Sequence, residues 1–503
     1  MKQECAMSVR QHSEMRVLKV RGCDVTFPYK PYPSQLAMMD KTIQALKNSQ
    51  NVLLELPTGS GKSMALLCAA AAWHASAVQE LQEEAALQKR GDSCALADGT
   101  LPPKPKAKRQ PKVFIASRTH SQLAQLVREL RKSGYTNLHM QVLGSRDQYC
   151  INSSVLKSDL PKAQACKDLL KKNACKFAYG AQRLEKHERL QQGGDLRIHD
   201  IEDLVSLGKR VAGCPYFASG SLAKEASFVF CPYSYLVDPM TRDALGLDLK
   251  GAVIIVDEAH NIEDVAREAA GLELRFDDLA EICLELEQML LMDEEGEGDK
   301  GDAQHYAALE SVVRGLKEHM QNWVPLLQSA ENSSVAHHIT SGAEAAAVLR
   351  EVGVTEDTLK PLKKFLETAM AKMEEQQQKQ ITEGGQVGRV SGAGDKGMRD
   401  GGMEVRTPTA KALLLVKDIL TKADLIFKNM EDYRMALQQR TVRERGARGG
   451  LGGRGVAGRA KLELTLNMWC LNPAVIFVAA LTPLPWSRAN KEALLTHTRN
   501  ALR

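Results

Sequence analysis

Aromatic residues are sparse in this chain. Phe, Tyr and Trp together make up 5% of the 503 residues, so we expect some segments to lack a hydrophobic core of their own. Hydrophobic residues at 44% and charged residues at 26% are close to the globular average, which excludes a wholly disordered or collagen-like chain. At roughly 100 to 200 residues per domain, the length predicts about three structural units.

Long apolar runs and a secretory leader are also lacking. No run of about 18 apolar residues occurs, and the longest candidate, Leu471 to Leu481, reaches across about half of a bilayer. Met1 to Arg21 contain no apolar segment typical of a signal peptide. We therefore expect no membrane partner and a reducing compartment, in which the 11 cysteines form no disulfides. Cys68 and Cys283 lie in helical apolar patterns and are expected to be small buried residues.

The charge is nearly balanced, with 67 basic and 62 acidic residues, so the total of +5 does not by itself indicate nucleic-acid binding. Local segregation is informative instead. Residues 77–112 change to Gln and Glu and then to PPKPKAKRQPK, a composition that predicts a disordered basic insertion. Its cations fit either a nuclear import signal or a plain solvated linker: Lys104, Lys106, Lys108 and Arg109.

Three strand and helix units can be recognised in the first half of the chain. A strand is predicted at Asn51 to Glu55 before a helix at Lys62 to Ala75, and another at Lys112 to Ala116 before a helix near Ser121. Ala252 to Val256 predicts a third buried strand. Such units favour an α/β fold with a parallel sheet that is covered on both faces.

The second half has a different pattern. No short apolar strand is evident between Asp264 and about Leu462, and the apolar period is helical. Three low-complexity stretches interrupt it, at Asp293 to Asp302, Glu374 to Gly402 and Arg443 to Arg459. We predict a mostly helical insertion that carries flexible loops.

A phosphate-binding loop is indicated by LPTGSGKS, Leu56 to Ser63, between the predicted strand and helix. Glycines let the backbone amides turn toward phosphate oxygens, Lys62 can reach the β and γ phosphates, and Ser63 can bind Mg²⁺. Leu56 occupies the position of the first glycine of the strict motif, so the match is to a variant. The alternative reading is an ordinary tight turn.

A second motif is acidic: VIIVDEAH, Val253 to His260. Asp257 at the end of a buried strand is placed to hold Mg²⁺, and Glu258 can orient or deprotonate the attacking water. Two adjacent acids can also be a solvated turn or a helix cap. In combination with the glycine-rich loop, however, they predict a nucleotide hydrolase.

Four cysteines between these motifs, Cys150, Cys166, Cys175 and Cys214, suit tetrahedral zinc or an iron-sulfur cluster. The absence of any CxxC pair weakens the zinc reading, and four unrelated core cysteines remain an alternative. Several lysines around them offer phosphate-binding charge or a solvated helix face: Lys157, Lys162, Lys167, Lys171, Lys172 and Lys176.

Together these motifs resemble a known family. GKS, DEAH and SRTHSQLAQ (Ser117 to Gln125) are similar to motifs I, II and Ia of superfamily 2 helicases, and PYKPYPSQLAMMD (Pro28 to Asp40) is similar to the Q motif of their iron-sulfur branch. With CPYSYLVDP and MWCLNPAV added, the chain resembles the Fanconi anaemia group J-like helicases more than the regulators of telomere length. The resemblance covers about residues 22 to 475.

The resemblance implies a RecA-like P-loop NTPase lobe that uses ATP, Mg²⁺ and a [4Fe-4S] cluster. His260 joins Lys62, Asp257 and Glu258 in catalysis, and Gln35 reads the adenine. The nucleotide is further held by the loop: Pro57, Thr58, Gly59, Ser60, Gly61, Lys62 and Ser63.

For the other ligands, the resemblance assigns Cys150, Cys166, Cys175 and Cys214 to the cluster and Cys231 to the helicase core. The resemblance also implies single-stranded and forked DNA as partners, with the DNA contacts assigned to Arg118, Thr119, His120 and Arg146. Thr119 or Ser121 can equally cap the following helix.

The expected domain order combines the patterns with the resemblance. It runs as tail 1–21, lobe 22–148, iron-sulfur domain 149–221, lobe 222–264, helical arch-type insertion 265–462, return to the lobe 463–475 and divergent tail 476–503. In the family a Ser-Gly-Thr motif and a second lobe follow MWCLNPAV, so the sequence predicts a chain truncated before that lobe.

Two functions are then expected. One is the N-terminal part of a nuclear 5′ to 3′ DNA helicase with DNA-repair partners. The other is a nucleotide- and DNA-binding module without productive unwinding.

Overall fold

The computed structural model describes residues 15–57, 59–91, 110–294, 300–329, 335–384, 409–443 and 460–476. By their internal contacts these residues group into two compact units. The first unit contains residues 15–236 and 245–262, and the second contains residues 237–244 and 263–476.

The strands and helices alternate in the first unit and form separate runs in the second. The strands are β1 Arg16–Val20, β2 Cys23–Phe27, β3 Val113–Ser117, β4 Met140–Val142, β5 Phe228–Pro232, β6 Val253–Val256, β7 Leu272–Arg275, β8 Gln328–Ser329, β9 Val335–Ser341, β10 Tyr433–Arg443 and β11 Ala460–Cys470. The helices are α1 Pro33–Lys47, α2 Lys62–Gly91, α3 His120–Lys132, α4 Arg146–Tyr149, α5 Ser153–Leu156, α6 Lys162–Lys171, α7 Ala181–Glu185, α8 Ile201–Val211, α9 Pro215–Glu225, α10 Ser234–Val237, α11 Pro239–Leu245, α12 Ile262–Ala270, α13 Phe276–Glu294, α14 Lys300–Trp323, α15 Gly342–Glu351, α16 Glu356–Gly384 and α17 Ala410–Lys428.

A parallel four-stranded sheet in the order β4, β5, β3, β6 forms the centre of the first unit. All five residues of β3 are buried, as expected for a strand covered by helices on both faces. Helix α3 packs on the sheet through a stripe at helical spacing, Leu123, Val127 and Leu130, all fully buried. The predicted α/β fold with a RecA-like parallel sheet is therefore confirmed.

The predictions for the tail and for the basic insertion differ from the structure of this unit. The predicted tail contains β1, which forms an antiparallel hairpin with β2. Helix α2 continues to Gly91, so the first part of the predicted basic insertion is helical, whereas Lys104, Lys106, Lys108 and Arg109 lie outside the described residues. A long run of Ala, Gln and Glu after residue 75 favours this extension, because these residues have high helix propensity.

Residues 51–57 form no strand, although the sequence predicts one at Asn51 to Glu55. Leu53 is 83% exposed and Val52 is 47% exposed, whereas Leu54 and Leu56 pack against the core of β2, α1 and α2. Within the described residues the parallel sheet ends at β6. Apolar sequence alone does not make a strand, because the hydrogen-bonding partner is non-local.

The cysteine segment, from α4 to α9, consists of short helices around a small core. Tyr149, Leu184, Leu204 and Leu207 are almost completely buried in it. The Tyr149 hydroxyl donates to the carbonyl of Val142 at 2.6 Å. This bond connects the segment to the end of β4, and Tyr149 directly precedes Cys150, the first of the four cysteines.

The second unit contains an antiparallel sheet in the order β7, β11, β10, β9, β8. This corrects the expectation that no strands occur between Asp264 and Leu462. Strands such as VAHHITS and YRMALQQRTVR mix polar with apolar residues and contain no long apolar run, so a search for such runs misses them. The predicted loops lie mainly outside the described residues.

Strand β11 pairs along its length with β10, from Tyr433 opposite Cys470 to Arg443 opposite Ala460, and its Thr465–Met468 part also pairs with β7. Residues 463–470, which the sequence assigned to a return to the lobe, therefore belong to the antiparallel sheet of the second unit. One face of this sheet is buried through Met435, Leu437 and Met468. Among the described residues, no helix combines the length and apolar character needed to cross a bilayer.

A matched pair of truncations tests the packing of the first unit. Leu123→Ala removes a fully buried side chain and should lower the free energy of unfolding by about 2 to 5 kcal/mol. Leu53→Ala removes an exposed side chain and should change it by less than about 0.5 kcal/mol. Urea denaturation followed by circular dichroism measures both, and equal losses would show that residues 51–55 are a buried strand after all.

Candidate functional site

The phosphate loop is shaped by two glycines with left-handed backbone. Gly59 has φ 77° and Gly61 has φ 71°, and a Cβ at Gly61 would lie only 2.4 Å from Nε2 of Gln35. The Ser60 hydroxyl donates to the carbonyl of Pro57 at 2.8 Å. Helix α2 begins at Lys62, so its free N-terminal amides lie at the loop, where an anion is favoured. Thr58 lies outside the described residues.

Gln35 lies against this loop. Its Oε1 accepts from the backbone N–H of Tyr32 at 2.9 Å, and its Nε2 donates to the carbonyl of Ser60 at 2.9 Å. The side chain is 6% exposed. Gln35 therefore fixes the phosphate loop to the start of α1, a contact that the sequence did not predict, whereas its predicted role in reading adenine stays a prediction.

The acidic motif follows β6. The backbone N–H of Asp257 donates to the carbonyl of Ala116 at 2.9 Å, which aligns the ends of β6 and β3. Lys62 Nζ lies 2.8 Å from Glu258 Oε1, so the fold brings the two halves of the predicted nucleotide site together. Hydrogen bonding to Lys62 lowers the pKa of the Glu258 carboxyl, whereas burial, followed by the charge of Glu258, raises the pKa of Asp257.

Glu258 adopts an unusual backbone conformation, with φ 52° and ψ 49°. A left-handed conformation costs a non-glycine residue roughly 1 to 2 kcal/mol, and the hydroxyl of Tyr233 offsets this by donating to the carbonyls of Asp257 and Glu258. Tyr233 is 1% exposed and follows β5. The sequence did not single out this residue for the site, although it is the first tyrosine of the CPYSY motif.

His260 and Asn261 complete this turn. The His260 side chain is 71% exposed and its Nδ1 lies 3.5 Å from Glu258 Oε2. The Asn261 amide lies between His260 and Arg118, and Arg118 Nη1 donates to Asn261 Oδ1 at 3.1 Å. Asn261 is a second residue that sequence reasoning missed, because only folding brings it beside Arg118.

Of the predicted DNA contacts, Thr119 caps helix α3. Its hydroxyl accepts from the backbone N–H of Gln122 at 3.3 Å, and the Gln122 side chain accepts from the Thr119 N–H at 3.1 Å. Arg118 is exposed. Burial lowers the pKa of His120, and its Nδ1 finds no hydrogen-bond partner within the described chain. The capping reading of Thr119 is thus confirmed, and DNA binding at these three residues stays a prediction.

The four cysteines come together although 64 positions separate the first from the last, 214 minus 150. Cys150 and Cys214 each lie close enough to Cys166 and Cys175 to interact electrostatically. Asn152 Nδ2 donates to Cys175 Sγ at 3.4 Å. Burial raises the pKa of the Cys150 and Cys214 thiols, so they favour the protonated form unless a cation binds.

The separation of the sulfur atoms indicates what these thiols can hold. In the described residues, no three of the four sulfur atoms lie within 4.8 Å of one another. Around a tetrahedral zinc ion with Zn–S bonds of about 2.3 Å, sulfur atoms lie about 3.8 Å apart. As placed, the four thiols therefore do not form the compact set that a single zinc ion binds.

Arg146 lies at the start of the same segment. Its carbonyl accepts from the backbone N–H of Cys150 at 2.9 Å, and its guanidinium carbon lies 4.2 Å from the ring centroid of Tyr216. Within the part of the chain that the structure describes, its Nε has no hydrogen-bond partner. This Nε is buried, so only the partly exposed remainder of the guanidinium is placed to contact a phosphate.

The remaining cysteines of interest lie in packed regions. Cys68 and Cys283 are buried as expected, and Cys231 is fully buried in β5 opposite Ala116. Cys283 lies within 4.8 Å of carboxylate oxygens of Glu287 and Glu310. Arg314 pairs with Glu310 at 2.6 Å, so this acidic cluster already contains a compensating positive charge.

The chain is similar to known helicases. Residues 115–279 match the DEAD_2 family model. The regulator of telomere elongation helicase 1 homologue of Drosophila erecta is 31% identical over 491 residues, which are 90% of this chain and 46% of the relative. The homologue of Drosophila yakuba is 40% identical over 273 residues, which are 52% of this chain and 27% of the relative. The chain thus spans less than half the length of these curated relatives.

A solved XPD helicase chain matches with a TM-score of 0.39 and 15% identity, covering 90% of this chain and 57% of the XPD chain. A likeness this low carries no argument about function. The relatives also do not support the narrower assignment to the Fanconi anaemia group J-like helicases, since they carry the name of the telomere regulator. The chain carries a DEAD_2 match at residues 115–279 and is similar, over nine-tenths of its length, to a helicase of the regulator of telomere elongation type.

Proposed function

We propose that the chain is the nucleotide- and DNA-binding portion of an ATP-dependent DNA helicase. The observation that carries this proposal is the 2.8 Å contact between Lys62 of the phosphate loop and Glu258 of the DEAH turn. Two motifs far apart in sequence meet there, at the ends of a parallel sheet where such folds bind ligands. The similarity to helicases over 90% of the chain supports the same conclusion.

In this function Lys62 and the amides of the loop bind the phosphates of ATP. Ser63 and Asp257 hold Mg²⁺, and Glu258 orients or deprotonates the attacking water, assisted by His260. ATP phosphates compete with Glu258 for Lys62, so nucleotide binding opens the ion pair and releases Glu258 for its role. Gln35 transmits the position of the base to the loop through Ser60.

DNA is proposed to bind in two places of the first unit. Arg118, Thr119 and His120 follow the end of β3 and contact the single-strand backbone. Arg146, stacked on Tyr216, contacts DNA beside the cysteine segment, where exposed lysines such as Lys171 and Lys172 add positive charge.

The cysteine segment is proposed to hold a [4Fe-4S] cluster through Cys150, Cys166, Cys175 and Cys214. Three buried thiols and the half-buried thiol of Cys150, which do not form a compact zinc-sized group, support this choice over zinc. Short helices with a small core gain rigidity from such a group, and a rigid segment is suited to the point where duplex DNA separates. Translocation from 5′ to 3′, repair partners and a nuclear location belong to the same proposal.

Removing the lysine of the phosphate loop tests the nucleotide site. Lys62→Ala deletes a charge-assisted hydrogen bond to phosphate and should raise the Kd for a fluorescent ATP analogue at least about tenfold. Lys41→Ala changes an exposed lysine on α1 and should leave the Kd unchanged. Equal affinities of the two variants for the analogue would show that Lys62 does not bind the nucleotide.

A single-turnover assay with single-stranded DNA then separates the helicase portion from the binding module. Turnover that disappears in Lys62→Ala supports a hydrolytic enzyme. Nucleotide and DNA binding without turnover supports the module.

Metal analysis tests the cysteine site. Anaerobically purified protein should contain iron and sulfide, and Cys150→Ser, Cys166→Ser, Cys175→Ser and Cys214→Ser should each lose most of the iron. Cys231 lies in the sheet core, so the control variant Cys231→Ala should retain the iron. Zinc in place of iron, measured by mass spectrometry of the metal content, would support the zinc reading instead.

The salt dependence of DNA binding tests the lysines of the cysteine segment. A plot of log affinity against log salt should become shallower by about 0.7 for each lost phosphate contact, as in the double variant Lys171→Ala and Lys172→Ala. Lys428→Ala, an exposed lysine of the second unit, serves as the control. An unchanged slope in the double variant would show that these lysines form only a solvated helix face.

A further inference from the structure

A continuous series of polar contacts links the predicted DNA contact Arg118 to the phosphate-loop lysine. Arg118 Nη1 donates to Asn261 Oδ1 at 3.1 Å. Asn261 Nδ2 lies 2.9 Å from His260 Nε2, and His260 Nδ1 lies 3.5 Å from Glu258 Oε2. At the other end, Lys62 Nζ contacts Glu258 Oε1 at 2.8 Å.

The direction of these contacts is fixed by the arginine. A guanidinium has only donors, so the atom of Asn261 that faces Arg118 must be its acceptor oxygen. Its amide nitrogen therefore faces His260, and Nε2 of the ring accepts. In the neutral ring the proton then lies on Nδ1, which faces Glu258. Each donor in the series thus faces an acceptor of the next group.

The backbone keeps Asn261 in this position. Its N–H donates to the carbonyl of Glu258 at 3.1 Å, and its side-chain Nδ2 lies 3.4 Å from the same oxygen. That carbonyl also accepts from the Tyr233 hydroxyl at 3.0 Å. Asn261 is therefore attached to the left-handed turn at Glu258, and a movement of its side chain acts directly on the acidic motif.

Both proposed ligands compete with this series from opposite ends. A DNA phosphate accepts hydrogen bonds from Arg118 and so competes with Asn261 for it. ATP phosphates accept from Lys62 and compete with Glu258. Because hydrogen bonds in a series strengthen one another, release of one end weakens the contact at the other end, so the second ligand breaks a weaker contact.

We propose that Asn261 is a positioning residue that couples single-stranded DNA at Arg118 to nucleotide at Lys62, so that the two ligands bind with positive cooperativity. The inference rests on the proposed function, because it requires both ligands to bind where that function places them. Thermodynamic linkage requires the coupling to be reciprocal. Since the groups are partly exposed, the factor should be near the low end of the usual range, about five- to tenfold.

The experiment measures two affinities and their mutual effect in the full chain. The Kd of a fluorescent, non-hydrolysable ATP analogue is titrated with and without a saturating single-stranded oligonucleotide, and the oligonucleotide is titrated with and without the analogue. In the unmodified protein each ligand should lower the Kd of the other by the same factor of about five to ten. In Asn261→Ala the factor should fall to about one, because the series is interrupted, and both ligands should still bind.

Two further variants separate coupling from a general structural effect. Asn261→Asp keeps an acceptor for Arg118 but has no donor for His260, and its coupling factor should also be near one. Arg128→Ala removes a different exposed arginine on α3 and should keep the full factor. Thermal unfolding of each variant checks that the fold is intact.

The outcomes distinguish the inference from the function on which it rests. Unchanged coupling in both Asn261 variants, or a factor of one in the unmodified protein while both ligands bind, overturns the coupling role alone. A protein that binds neither the analogue nor the oligonucleotide overturns the proposed function and the coupling together.

Discussion

The turn after β6 is the constraint on which the functional region depends. Glu258 is held in a left-handed conformation, and the buried hydroxyl of Tyr233 bonds the carbonyls on both sides of that strained position. Because the turn is fixed, the Glu258 carboxylate meets Lys62 and Asn261 meets Arg118. The phosphate loop and the predicted DNA contacts are therefore parts of one hydrogen-bonded arrangement.

The cysteine segment has little hydrophobic packing of its own. Its helices are short, and its hydrophobic core is small, so packing alone gives it limited stability. It is attached to the parallel sheet through Tyr149, directly before Cys150. Three buried thiols and the half-buried thiol of Cys150 lie within it, and the proposed thiolate-bound group would add stability that this small core does not supply.

Some features could be predicted because they depend on local chemistry. The glycines of the phosphate loop, the cap at Thr119 and the buried strand β3 follow from neighbouring residues, and all three are present. The strand at residues 51–55 was predicted from the same kind of pattern and is absent. Strands β9 and β10 were missed, since they are defined by pairing across more than 90 positions.

The sequence by itself determined the chemistry available to this protein: a loop that can bind phosphate, a pair of acids and four thiols. Those assignments follow from side-chain type and short spacing, which the chain encodes locally. Only the tertiary structure decided that Tyr233 fixes the acidic turn, that Gln35 holds the phosphate loop and that Asn261 connects Arg118 to His260. Such contacts join residues distant along the chain, and their geometry arises when strands and helices pack together.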